Sequence, residues 1–115
     1  MTRFVPIHYR DFWDVPRIFL VEYQGHSFLF DCPFDDDVED FPNYYRVYVL
    51  PILDSGELAG SWANLSKKAV HFLGEVPIDR VHFDSSKRKE VSADLLDDLI
   101  SRLPESPQAV GQTSG

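Results

Sequence analysis

The sequence predicts an α+β domain, with an antiparallel sheet of about four strands and two helices packed on its aromatic face. A strongly curved, barrel-like sheet is the alternative. Three observations carry this reading. Residues 17–23 and 26–32 are two β-rich runs either side of Gln24-Gly25. Residues 44–50, Tyr-Tyr-Arg-Val-Tyr-Val-Leu, form a third run of β-branched and aromatic side chains. The apolar residues of the second half recur at helical spacing, and strands and helices follow without the regular alternation that a parallel sheet requires.

In chain order, residues 4–9 read as a short extended run that Pro6 confines to a sheet edge or outside the sheet, because proline donates nothing to a ladder. Residues 11–16 read as a loop, tucking Phe12 and Trp13 against the aromatic face and ending at Pro16; an exposed Trp13 would instead serve as a binding anchor. The hairpin follows. A two-residue loop ending in Gly suits a primed turn, whose central residues take positive φ. That turn pairs Tyr23 with His26, Val21 with Phe28 and Phe19 with Phe30. Alternation then puts Phe19, Val21, Tyr23, Phe28, Phe30 and Cys32 on one face, with Leu20 opposite Leu29 on the other.

After the hairpin, Phe34, Val38 and Phe41 are spaced as i, i+4, i+7, which predicts a short turn of helix burying them. Residues 44–50 are a strand ended by Pro51, and Asp54-Ser55-Gly56 is turn chemistry. Ser61 is placed to cap a helix carrying Trp62, Leu65, Ala69, Phe72 and Leu73, with Gly74 at its end. Residues 79–84 read as a fourth strand and Lys87-Arg88-Lys89 as a turn. Ser92 caps a last helix whose stripe is Leu95, Leu96, Leu99, Ile100 and Leu103, stopped by Pro104. Residues 1–105 are thus one domain, and 106–115 a flexible tail.

Composition restricts function. A chain of 115 residues with 43% hydrophobic side chains can bury one real core. A net charge of −8 opposes electrostatic binding to nucleic acid or to an anionic membrane. Residues 1–10, broken by Pro6, His8 and Arg10, read neither as a signal peptide nor as a span. The lone Cys32 excludes an internal disulfide and suits a reducing, cytoplasmic setting. No motif calls for a cofactor.

The chemistry-bearing residues are few. Asp35, Asp36, Asp37, Glu39 and Asp40 form the most acidic segment, with no basic residue between them. It lacks the alternate spacing and central Gly of an EF-hand loop, so a solvated acidic surface is the simpler expectation than a cation site. Cys32 sits among carboxylates, which disfavour a nucleophilic thiolate; its place on the aromatic face makes it a small core residue. His8, His26, His71 and His82 show no local ligand spacing, and whether His8, His82 and carboxylates converge is left open.

Residues 18–32, Ile-Phe-Leu-Val-Glu-Tyr-Gln-Gly-His-Ser-Phe-Leu-Phe-Asp-Cys, resemble the opening hairpin of metallo-β-lactamase-fold hydrolases, including an Asp after the second strand. The resemblance covers the hairpin alone. That family's H-x-H-x-D-H metal motif has no counterpart here, and the chain is about half the length that fold needs. No function is carried over from it.

The expected role is a non-enzymatic protein-interaction module. Its acidic residues Asp35, Asp36, Asp37, Glu39 and Asp40, with Trp13, would meet a basic protein partner. A small carboxylate and histidine metal-dependent hydrolase, or a small-ligand-binding domain, are the alternatives.

Overall fold

The computed structural model describes residues 3–12, 15–51, 53, 55–60, 62 and 65–103. The expected anchor Trp13, the expected cap Ser61 and the 106–115 tail lie outside them. Among the described residues the chain forms six strands: β1 (Phe4–Phe12), β2 (Pro16–Tyr23), β3 (His26–Asp31), β4 (Tyr44–Leu50), β5 (His71–Pro77) and β6 (Glu90–Ser92). It also forms a single-turn helix α1 (Ser55–Ala59), a longer helix α2 (Ala93–Ser101) and two 3₁₀ turns. All neighbouring strands are antiparallel, in the order β5-β4-β3-β2-β1-β6. The sheet is open, with β5 and β6 at its edges, so the barrel alternative is set aside.

The expected hairpin forms in the expected register, with Tyr23 opposite His26, Val21 opposite Phe28 and Phe19 opposite Phe30. Gln24 (φ 49°) and Gly25 (φ 80°) both take the left-handed conformation that a primed turn requires. The aromatic face is the main core. Phe19 stacks on Phe30 at 4.5 Å, and Tyr45 meets both rings edge-on at 5.4 and 5.7 Å. The buried Tyr45 hydroxyl donates to the Pro16 carbonyl at 2.7 Å, reaching from β4 across β3 to β2. A buried phenol needs such an acceptor.

α2 covers this face. Ser92 caps it as expected, its hydroxyl accepting from the Asp94 N–H at 3.2 Å. Ala93, Leu95, Leu96 and Leu99 are buried in the same cluster as the sheet aromatics. Each fully buried leucine is worth roughly 1.5–3 kcal/mol of transfer free energy, so the stripe holds the helix in place more than its length does. Tyr23 donates to the Asp97 carboxylate and accepts from Arg3 at 2.7 Å, which ties α2 to the hairpin end.

The expectation of four strands and two helices on one face is corrected here. The described residues between 62 and 73 hold no α-helix; they contribute a 3₁₀ turn at Leu65–Lys68 and the start of β5. Trp62 and Leu65 are buried, but against Leu20 and Leu29 on the opposite face. Gly74 (φ 106°) lies within β5, where Val47 opposes Gly74 and Tyr48 opposes Phe72, leaving Leu73 as the extra residue of a bulge. Residues 79–84 are not a strand either. They hold a 3₁₀ turn, Ile78–Arg80, and a single bridge from Phe83 to Val91. Ser55 and Gly56 belong to α1 rather than to a turn.

Pro6 lies inside the sheet, not at its edge. Ile7 N–H donates to Lys89 and Ala93 N–H to Arg3, both at 2.9 Å, so the hydrogen-bonding groups of residues 3, 5 and 7 face β6. Pro6 faces the other way, and the β1–β2 ladder starts one residue later, at Ile7 opposite Val21. Pro6 has no N–H to donate toward β2, and the paired register begins just past it. The loop expected at residues 11–16 is also shorter than expected, because β1 runs on to Phe12, paired with Pro16. Phe12 packs on Tyr9 at 5.8 Å and under the Arg88 guanidinium.

Candidate recognition loop

β3 stops at Asp31, Pro33 follows, and the chain turns back to β4 through residues 33–43. The acidic segment is not a helical turn. Asp35 N–H donates to the Asp40 carbonyl at 2.8 Å and Asp40 N–H to the Asp35 carbonyl at 3.2 Å, which closes a loop over residues 36–39. The reason lies in the aspartates. Their short carboxylates bond nearby backbone N–H groups and so compete with helix formation. Asp35 accepts from the Asp37 N–H at 2.9 Å, and Asp40 from the Phe41 N–H at 2.7 Å. Glu39 takes the left-handed conformation (φ 55°) that lets the chain reverse.

The loop divides its apolar residues. Phe41 is partly buried against the main core, with the Arg17 guanidinium 4.3 Å from its ring centre. Phe34 meets Phe41 edge-on at 5.2 Å but is 51% exposed, and Val38 at the tip is 67% exposed. Helical spacing had placed all three inside. A cleft of about 380 Å³ runs beside the loop, bounded by Phe34, Asp35, Asp36, Asp37, Tyr44 and Arg46. Asp31, at the end of β3, is half-buried and opposite Arg46 in register. Burial raises its carboxyl above the ordinary range, and Arg46 opposes the shift.

Asp35, Asp36, Asp37, Glu39 and Asp40 are all exposed and share this loop. None of the ion pairs among the described residues involves them. The remaining candidates do not join them. His8 lines a cleft with Arg10 and Trp62, whereas His82 lines another with Asp79 and Asp94. Among the described residues no group of three or more His, Cys, Asp or Glu is placed to hold a metal ion. Cys32 is buried, 1% exposed, between Arg17 and the Pro42 carbonyl, each 3.3 Å from its sulfur. A guanidinium and a backbone carbonyl thus meet its sulfur. No helix among the described residues is long and apolar enough to cross a membrane.

Comparison with protein-family models, curated proteins and solved structures finds no match to the chain. The functional reading therefore rests on geometry alone, and no match supports the hairpin's resemblance to metallo-β-lactamase-fold hydrolases.

Sequence reasoning missed the outward Phe34 and Val38. The signal was present in Pro33, Pro42 and the consecutive aspartates, all of which favour a turn over a helix.

Proposed function

We propose that this protein is a non-enzymatic protein-interaction module, acting in the cytoplasm, that engages a basic protein partner through residues 33–42. The observation that carries the reading is the make-up of the loop: two exposed apolar side chains, Phe34 and Val38, ringed by five exposed carboxylates. An apolar centre with a polar rim is the anatomy of a protein interface. Apolar anchors supply affinity when a partner pocket desolvates them. The carboxylates add association rate and selectivity toward a positive surface, although each exposed pair is worth little by itself.

Affinity capture from a cell extract tests the proposal with three variants. The parent should retain a partner of basic isoelectric point. Phe34→Ser with Val38→Ser should lose it, and Asp35→Asn with Asp36→Asn and Asp37→Asn should weaken it. Glu22→Gln, on an exposed residue at the other end of the hairpin, should retain it. Retention that ignores both loop variants would overturn the assignment.

A further inference from the structure

A second cleft has the opposite chemistry. It encloses about 300 Å³ beside the outer half of β1 and includes His8, Arg10, Trp62 and Arg88 in its lining. The remaining described lining residues are Ile7, Tyr9 and Leu58, so among the described residues neither Asp nor Glu lines it. The chain has 19 acidic and 11 basic residues, so a cleft whose described lining holds cations and no acid runs against its composition.

Both guanidiniums are held by aromatic rings. Arg10 lies 4.9 Å from the Trp62 ring centre and donates to the Leu58 carbonyl at 2.6 Å. The Trp62 indole donates to the same carbonyl at 2.9 Å, which couples the two side chains. Arg88 lies 4.4 Å over Phe12. Its loop is fixed by Asp84, whose carboxylate accepts from Ser86, Lys89 and Glu90. Neither Arg10 nor Arg88 has a carboxylate partner among the described residues.

The backbone contributes as well. β6 covers β1 only as far as Ile7, so the Tyr9 N–H, which points the same way as that of Ile7, opens toward this cleft. Two like charges kept in one cleft repel each other, whereas an anion between them reverses the sign. Guanidinium forks match the paired oxygens of a carboxylate or phosphate.

We infer that this cleft binds a small molecule through an oxyanion, carboxylate or phosphate, held between Arg10 and Arg88. His8 is a third donor, and the Arg10–Trp62 pair forms one wall. The cleft is of the size of small-molecule sites, at the low end.

Nuclear magnetic resonance on nitrogen-15-labelled protein tests the site. Inorganic phosphate and citrate are titrated in separate arms, with sodium chloride at matched ionic strength as the reference. The expected result is saturable shifts of the Arg10 and Arg88 side-chain N–H, the Tyr9 N–H and the Trp62 indole. The arm that saturates at lower concentration identifies the source of the oxyanion. Arg88→Gln should weaken saturation about tenfold, the cost of one charge-assisted hydrogen bond. Arg88 is exposed on a loop, so this variant keeps the fold even where Arg10→Gln, which frees Trp62, does not. Arg88→Lys keeps the charge, loses the fork and should fall between. The triple Asn variant of the recognition loop should bind as the parent does. Shifts no larger than those from chloride, or saturation that Arg88→Gln leaves unchanged, would overturn the inference.

Discussion

Replacing Phe30 and Phe72 separately by Ala separates a core built on the hairpin from one built on a helix over residues 61–73. Phe30 is fully buried, stacked on Phe19 and met edge-on by Tyr45. Large-to-small changes at such sites cost about 3–5 kcal/mol, since they lose transfer free energy and leave a cavity. Two ring pairs, each worth about 0.5–1.5 kcal/mol, place Phe30→Ala in the upper half of that range. Phe72 is 56% exposed and touches Tyr48 with its ring 5.2 Å away. Less than half its surface leaves water, so of the roughly 2–3 kcal/mol for full burial about 1 kcal/mol is at stake, with no enclosed cavity left behind. Urea unfolding reads both. With a slope of about 1.5 kcal/mol/M, Phe30→Ala should lower the midpoint by about 3 M and Phe72→Ala by less than about 1 M. Equal losses, or a Phe30→Ala loss below about 1.5 kcal/mol, would refute the hairpin-centred core.

Three further outcomes are expected. Gly25→Ala should cost about 1–2 kcal/mol, read by the same urea titration. A Cβ at Gly25 meets no atom within 4 Å, so the left-handed φ alone sets the loss, and an unchanged midpoint would mean the turn is wrong. Cys32 should react slowly with a thiol reagent in the native protein and fast once unfolded, because it is buried; rapid native labelling would contradict that packing. Hydrogen bonds from the Ser86 hydroxyl first, and then from the Glu90, Lys89 and Ser86 N–H groups, hold the Asp84 carboxyl well below the ordinary range. Its unfolded form binds the proton first, so its stabilisation is present above about pH 4 and is lost as pH falls through the lower folded value. Asp84→Asn should flatten the parent's acid-side stability loss in thermal melts between about pH 4 and 2; an identical slope would remove Asp84 from the account.

The parts legible in the sequence are those where one local pattern admits one geometry. Residues 17–32 and 44–50 carry β-rich runs, and both form strands, the hairpin around Gln24-Gly25 in the expected register. Ser92 and the Leu95, Leu96, Leu99 stripe likewise admit only a capped helix. The failures come from patterns that two geometries share. A glycine with positive φ ends helices and also forms bulges, so Gly74 looked the same in both roles. Trp62, Leu65 and Ala69 do pack on the sheet, but through a 3₁₀ turn on the face not assigned to them. β6 has three residues, too few to show a period, and its place beside β1 is set by tertiary pairing. In the recognition loop the charge was legible residue by residue. The outward turn of Phe34 and Val38 was not, because the backbone bonds made by Asp35 and Asp40 overrode the helical spacing.

The measurement that bears most directly on the recognition loop is the association rate with its captured partner, followed from about 0.05 to 0.5 M salt. For the parent the rate should be high at low salt and fall steeply as the Debye length shortens from roughly 13 to 4 Å. The Asp35→Asn, Asp36→Asn, Asp37→Asn variant should start lower and change less, converging with the parent at high salt. Phe34→Ser with Val38→Ser should leave the association rate near the parent's and shorten the lifetime of the complex. Rates that coincide for parent and Asn variant at every salt concentration would contradict the acidic loop as the surface the partner meets.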